Sequence, residues 1–178
     1  MASEALSRRP VIAMVTGGKE PLVDGQDGFE EFFDQISAAV AAGVDVVQVR
    51  ERNLPDRILF EVVTRCVDLA RGSETNVLVN DRLDVALAAG ADGVHLRACS
   101  VPTRIARRNS PARFLLGRSA HDLEEAVRIV EGDDLDYLTF GTVFASRSKP
   151  DVSPCGVGML REVARAVNLP VLAIGGVT

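Results

Sequence analysis

Six short apolar runs of this sequence each end in groups suited to phosphate or proton chemistry. Those groups are Gln48 and Arg50, Asn80 and Asp81, His95 and Arg97, Ser119 and His121, Ser146 with Ser148 and Lys149, and Gly175 with Gly176. Each run is rich in Val, Ile, Leu or Phe, which favours a buried parallel strand. A helix-like segment separates each run from the next. Because a (β/α) barrel places its active site at the carboxyl ends of its strands, the pattern predicts an enzyme.

Gln48, Arg50 and Arg52 stand at alternate positions where the second predicted strand ends. Alternate residues of a strand share a face, so we expect these three side chains to converge. Arginine binds two phosphate oxygens at once, which predicts a phosphate or pyrophosphate ligand. The alternative is a surface charge run in which the arginines pair with Glu51.

Asn80 and Asp81 follow the third predicted strand directly. A carboxylate at this position suits Mg²⁺. It equally suits the cap of the next helix, with Asn80 assisting the turn. The sequence leaves both interpretations open. Asp84 is the nearest further carboxylate, and its place along the helix favours solvent.

The chain has two histidines, and both lie at predicted strand ends. An imidazole there can exchange protons near neutral pH. We favour that role for His121, whose alternative is a position beside a helix start with no chemistry. For His95 we favour a hydrogen-bonded core group.

The sixth and seventh predicted strands are followed by groups that suit an anion. Ser146, Ser148 and Lys149 supply two hydroxyls and an ammonium, although a solvated flexible loop is the alternative. Gly175 and Gly176 would let backbone N–H groups approach a phosphate closely. Barrels often bind phosphate after their seventh and eighth strands.

These groups must be positioned by strands and helices in strict alternation. Strands are predicted at 11–16, 45–50, 76–80, 93–96, 114–119, 137–141 and 170–176. Helices are predicted at 29–43, 54–71, 81–90, 101–109, 121–132 and 158–168. We interpret residues 1–178 as a single TIM (β/α)8 barrel domain whose last helix, strand and helix are missing after Thr178. The alternative is a doubly wound open sheet.

Composition excludes several classes of function. The chain is 47% hydrophobic over 178 residues, which predicts a globular domain with a substantial core. A net charge of −5 and the absence of tryptophan argue against a nucleic-acid partner. Three scattered cysteines make no zinc pattern, and no apolar run suits a signal peptide or a membrane span. We therefore expect a cytoplasmic protein that binds a small anion, and we leave a homo-oligomer open.

Five motifs in order resemble the thiamine phosphate synthase superfamily, which includes the synthase and the TenI-type thiazole tautomerase. They are VQVRER, VLVNDRLDVALAAGADGVHL, LGRSAHDLEEA, YLTFGTVFASRSKPD and LPVLAIGGVT. The resemblance runs from about Val11 to Thr178 and implies a (β/α)8 barrel.

In the synthase, a hydroxymethylpyrimidine pyrophosphate loses pyrophosphate, and the nitrogen of a thiazole phosphate attacks the resulting carbocation. The resemblance implies pyrophosphate contacts from Gln48, Arg50, Asn80 and Ser119, Mg²⁺ on Asp81, and thiazole phosphate contacts from Ser146, Ser148, Lys149, Gly175 and Gly176. Arg52 stands where the synthase has lysine. Ser100 stands where the synthase has its second Mg²⁺ carboxylate, and a hydroxyl is a poor replacement.

SAHDLEEA and SKPDVSPCGVGML are closer to the TenI-type tautomerase. In that branch the histidine of the fifth loop moves protons to aromatise a carboxythiazole phosphate. His121 matches this histidine, and the reaction needs no cofactor. The tautomerase is therefore the first hypothesis and the Mg²⁺-dependent synthase the second. The third is a non-catalytic binder or regulator of a phosphorylated ligand.

Overall fold

The computed structural model describes residues 6, 10–17, 26–97, 99–132, 134–146 and 150–177. Within them, seven strands alternate with six helices, as predicted. The strands are β1 (Ala13–Val15), β2 (Val46–Val49), β3 (Asn76–Asn80), β4 (Gly93–Leu96), β5 (Leu115–Ala120), β6 (Tyr137–Phe140) and β7 (Val171–Ala173). The helices are α1 (Gln26–Ala41), α2 (Asp56–Ala70), α3 (Leu83–Ala88), α4 (Thr103–Arg108), α5 (Leu123–Gly132) and α6 (Gly156–Ala166).

The chain divides into two compact units: the first is Arg8–His95, and the second is Leu96–Thr178 together with Met1–Ser7. In the first unit, β1, β2, β3 and β4 pair in chain order, and every pairing is parallel. In the second unit, β5, β6 and β7 pair in the same way. Parallel neighbours in strict chain order follow the rule of a (β/α) barrel, whereas the strand order of a doubly wound sheet reverses. The predicted fold class is confirmed, and the prediction of a single domain over 1–178 stays a prediction.

Helix α2 shows how the sequence directs each helix onto the strands. Its buried residues recur at the spacing of one helical face: Leu59, Val62, Val63, Cys66 and Ala70. The helix packs against α1, α3 and β3. All four residues of β2, β4 and β6 are buried, which explains their nearly continuous apolar sequence.

An aspartate precedes each even-numbered strand and closes the same pair of hydrogen bonds. Each carboxylate accepts the backbone N–H of one residue at the start of the preceding odd-numbered strand, at 2.7–2.8 Å. Each aspartate N–H donates to the carbonyl oxygen of that same residue, at 2.8–3.0 Å. The pairs are Asp45 with Ile12, Asp92 with Val77, and Asp136 with Leu116. These links tie neighbouring strands together at their amino ends, which leaves the carboxyl ends to carry the site.

The predicted element bounds are wrong at several ends. The first and seventh strands are shorter than predicted, at Ala13–Val15 and Val171–Ala173. The fifth helix begins at Leu123 rather than at His121, and α1 begins at Gln26. Among the described residues, no helix has the length and apolar character that crossing a bilayer requires.

Candidate active site

The ends of β2 and β3 bring two predicted site residues together. Gln48 is buried in β2, and its Nε2 donates to Oδ1 of Asn80 at 3.2 Å. Asn80 is the last residue of β3 and is half-buried. The pairing follows from the parallel register, because Gln48 lies beside Leu78 and the two strands end at the same edge. The first unit therefore presents two amide side chains at the carboxyl ends of its strands.

Arg50 and Arg52 do not continue the alternation of β2, because the strand ends at Val49. Arg50 is half-buried, whereas Arg52 lies in a turn and is exposed. The expected convergence of Gln48, Arg50 and Arg52 by strand geometry is therefore wrong for Arg52. Glu51, in contrast, does not lie on the surface: it is buried and accepts the Thr16 hydroxyl at 2.6 Å.

Asp81 has a left-handed backbone, with φ of 69°. This conformation costs a residue with a Cβ atom roughly 1–2 kcal/mol, and such residues cluster at functional sites. The Asp81 N–H donates to the carbonyl oxygen of His95 at 2.9 Å. The N-cap position of α3 is Arg82 rather than Asp81. The conformation is therefore set where β3 meets β4, one residue before the helix cap.

The carboxylates near Asp81 already have partners. Arg82 donates to both oxygens of Asp84, at 2.9 and 2.6 Å, and also reaches Asp56. The Arg82 guanidinium holds the pKa of Asp84 below its usual value. Among the described residues, no group of three or more His, Cys, Asp or Glu side chains is arranged to hold a metal. The described residues therefore form no site that would hold a dication by protein side chains alone.

His95 is buried in β4, as predicted, with 4% of its surface exposed. Burial lowers its pKa to about 4, so the imidazole is neutral at pH 7. In the second unit, Ser100 has a local role, because its Oγ accepts the Arg97 N–H at 2.6 Å. Ser100 thus closes the turn that follows β4.

His121 is held by both its backbone and its ring. It follows the last residue of β5, and its N–H donates to Oε2 of Glu125 in the first turn of α5, at 2.8 Å. Its Nδ1 lies 2.8 Å from the carbonyl oxygen of Gly141. A carbonyl oxygen only accepts, so Nδ1 carries the proton of the neutral ring and Nε2 carries the lone pair. His121 therefore lies beside the start of α5, and its ring is also oriented by a hydrogen bond. The two interpretations drawn from the sequence are compatible.

Gly175 and Gly176 pack against the segment that follows β6. Both have positive φ, at 95° and 65°. A Cβ atom at Gly175 would lie 2.6 Å from Cγ2 of Thr142, and one at Gly176 would meet the carbonyl oxygen of Ala145. Side chains are therefore excluded by packing whether or not a phosphate binds. Neither glycine N–H donates to an acceptor among the described residues.

The remaining predicted residues are only partly described. Ser119 is half-buried in β5, and Ser146 is half-buried after β6. Ser148 and Lys149 lie outside the described residues, so their predicted roles stay predictions. Sequence reasoning missed Thr16 and Gly141, whose contacts lie 35 and 20 residues away along the chain. No local motif marks such contacts.

Comparison with known proteins identifies the family. Residues 21–178 match the family described as thiamine monophosphate synthase. The chain belongs to this family. It is 43% identical over 140 residues to the thiamine-phosphate synthase of Methanocella arvoryzae, covering 78% of this chain and 66% of that protein. It is also 43% identical over 146 residues to the thiamine-phosphate synthase of Methanoculleus marisnigri, covering 82% and 69%. This member of the family therefore spans about two thirds of the length of these relatives.

A solved structure shows the same relationship at the level of the fold. The thiamine phosphate pyrophosphorylase from Pyrococcus furiosus superposes with a TM-score of 0.78 at 30% identity. The match covers 94% of this chain and 76% of that one. The family resemblance and the prediction of an enzyme are thus confirmed at the level of the family. The relatives named here carry the name of the synthase or of the pyrophosphorylase.

Proposed function

We propose that this chain acts in thiamine biosynthesis on a phosphorylated thiazole, as the tautomerase that aromatises a carboxythiazole phosphate. One observation carries the proposal: Nδ1 of His121 lies 2.8 Å from the carbonyl oxygen of Gly141. This contact orients the ring and leaves Nε2 as the atom that takes and returns a proton. A tautomerisation moves one proton between two positions of the substrate, so a single imidazole can serve in both steps.

The phosphate of the substrate would be held at the ends of β6 and β7. The support is that the N–H groups of Gly175 and Gly176 have no acceptor among the described residues. Ser146, with the undescribed Ser148 and Lys149, would add hydroxyl and ammonium donors. Ser100 stands where the synthase has its second Mg²⁺ carboxylate, and its hydroxyl closes the turn after β4 by accepting the Arg97 N–H. On this ground we propose a reaction that uses neither metal nor cofactor. A cytoplasmic location and a small-molecule partner are part of the same proposal.

The second candidate is thiamine phosphate synthase, which two observations favour. The relatives that match at 43% identity carry this name. Gln48 and Asn80, which the family resemblance assigns to pyrophosphate, are hydrogen-bonded to each other beside the left-handed Asp81. In this reaction, pyrophosphate leaves a hydroxymethylpyrimidine and a thiazole phosphate replaces it. Mg²⁺ would supply charge neutralisation for the leaving group, held by Asp81 together with the phosphates of the substrate.

A side-by-side assay separates the candidates. The purified chain is supplied with the carboxythiazole phosphate alone, or with hydroxymethylpyrimidine pyrophosphate and thiazole phosphate, each with Mg²⁺ and with EDTA. The tautomerase predicts EDTA-insensitive conversion of the first substrate. The synthase predicts Mg²⁺-dependent release of pyrophosphate from the second set. Ligand binding with no turnover of either set would leave a non-catalytic binder.

The decisive variant is His121→Gln. Removal of a positioned general acid/base should lower turnover by roughly 10²- to 10⁴-fold while the fold is kept. Glu124→Gln is the matched control, because Glu124 is an exposed residue in the same first turn of α5. Full tautomerase activity in His121→Gln would refute the mechanism.

A further inference from the structure

Thr16 makes three hydrogen bonds, one to a residue of β2 and two to the residues that follow this strand. It follows β1 directly, is 7% exposed, and donates its N–H to the carbonyl oxygen of Gln48 at 3.0 Å. Its hydroxyl donates to Oε1 of Glu51 at 2.6 Å and accepts the N–H of Arg50 at 2.9 Å. Thr16, the residue after β1, thus contacts Gln48 and Arg50, which carry the predicted anion-binding side chains at the end of β2 and just beyond it.

The Thr16 hydroxyl links Arg50 to Glu51. The Arg50 N–H can only donate, so the Thr16 oxygen accepts it and the hydroxyl hydrogen is directed toward Oε1 of Glu51. Glu51 is 7% exposed and held in place by burial. It therefore acts on Arg50 without reaching solvent.

Gly17, the residue after Thr16, packs closely against Arg50. Its φ is 87°, and a Cβ atom there would collide with the carbonyl oxygen of Arg50. The same Cβ would lie 3.3 Å from Nη1 of the Arg50 guanidinium. The end of β1 is thus fitted to both the main chain and the side chain of Arg50.

We propose that Thr16 and Glu51 are positioning residues that set Arg50 to bind an oxyanion group of the substrate. They act through Arg50 and touch no reacting atom. The identity of that substrate rests on the proposed function, whereas the positioning of Arg50 for an oxyanion does not. A phosphate, a pyrophosphate or a carboxylate presents the required chemistry.

The test is a double-mutant cycle read by calorimetry with inorganic phosphate and inorganic pyrophosphate as probes. Thr16→Val keeps the shape of the side chain and removes the hydroxyl, so pyrophosphate binding should weaken about tenfold. In an Arg50→Ala background the same change should have no further effect, because the residue it positions is gone. Thr16→Ser restores the hydroxyl and should recover most of the affinity.

Two further variants keep the test decisive. Thr64→Val is the matched control, since the Thr64 hydroxyl bonds the Phe60 carbonyl oxygen on an exposed stretch of α2. If Thr16→Val fails to fold, Gly17→Ala displaces Arg50 by a different contact, with its carbonyl oxygen, and the loss of affinity should also vanish in the Arg50→Ala background.

Three results would overturn the inference: a wild-type chain that binds neither anion, a Thr16→Val chain with unchanged affinity, or an equal loss in both backgrounds. Turnover is read separately. A chain that shows the coupling but converts neither substrate set would refute the proposed function and support the positioning of Arg50. Turnover of a substrate set by a chain that lacks the coupling between Thr16 and Arg50 would support the proposed function and refute the positioning of Arg50.

Discussion

Lowering the pH below 6.5 should destabilise this fold through His95. Burial holds the pKa of His95 at about 4, against 6.5 for the ordinary side chain. Between these values the unfolded chain binds a proton that the folded chain does not. Stability is therefore complete above pH 6.5 and falls by about 1.4 kcal/mol for each pH unit below it. Over the whole interval down to pH 4 the loss is about 3 kcal/mol.

The contribution of His95 can be isolated because the chain has two histidines, and the second, His121, can be replaced. The His121→Gln variant keeps His95 as its sole histidine. The protein compared with it is the double variant His95→Gln/His121→Gln, which has no histidine. Denaturant unfolding is measured for both at pH 7 and pH 5. Between pH 7 and pH 5, we expect the free energy of unfolding to fall by about 2 kcal/mol more in the variant that keeps His95 than in the double variant. Comparing the losses cancels both the titrating carboxylates and the intrinsic cost of the substitution.

The reasoning is refuted if both chains lose stability equally over this interval. A direct check is the NMR titration of the His95 ring in the His121→Gln chain, with a midpoint expected at about 4. A midpoint near 6.5 would show that the ring of β4 is hydrated, which contradicts its exposure of 4%.

Three further predictions concern the core. Asp136→Ala should cost about 1–3 kcal/mol in denaturant unfolding, because it leaves the buried Leu116 N–H without its acceptor at 2.8 Å and removes one of the two carboxylates that pair with the half-buried Arg107; a loss below about 0.5 kcal/mol would contradict this. Gly117→Ala places a Cβ atom within the ring of the buried Tyr137 and should cost at least ~1–3 kcal/mol. Adding Tyr137→Leu should recover part of that loss. Burial raises the pKa of Cys66 to about 12, so peptide mapping should find no modification of Cys66 by a thiol reagent at pH 8 until the chain unfolds.

The alternation of strands and helices was predictable because each buried strand leaves a strong local signal. Val46, Val47 and Val49 are buried on both faces of β2, and a nearly continuous apolar run of this kind is readable without tertiary information. Helix faces are readable for the same reason, as the spacing of buried residues in α2 shows. The aspartate links at the amino ends were missed, since each joins residues 15 to 33 positions apart.

The ends of the strands were predicted less well, and the reason is physical. Alternation of side chains holds only while the backbone stays extended, and β2 stops at Val49. Beyond it, Glu51 turns inward and Arg52 turns outward, the opposite of the pattern extrapolated from Gln48. The burial of Glu51 depends on the hydroxyl of Thr16, 35 residues away. A carboxylate in the sequence QVRER resembles a surface charge until that contact is known.

His121 illustrates how far residue type alone can go. Its place after an apolar run predicts an imidazole at a strand end, and the structure places it there. Which nitrogen carries the proton depends on the carbonyl oxygen of Gly141, at the end of the next strand. A general-base assignment needs that information, because only a lone pair on the outward nitrogen can accept a proton from a ligand.

Glycines with positive φ fall into two groups, which differ in whether an added Cβ atom would meet a neighbouring segment. Gly43 and Gly90 lie just beyond helices, and a Cβ atom at either would meet nothing within 4 Å. They end helices in the usual way, and asparagine would suit them at small cost. Gly17 and Gly175 follow strands, where a Cβ atom would strike the Arg50 carbonyl oxygen or the Thr142 side chain. At strand ends, then, the backbone is shaped by close contact as well as by dihedral angle. A glycine there marks a surface fitted to a neighbouring segment. For Gly17, that segment follows β2 and contains Arg50, which we propose binds the substrate anion.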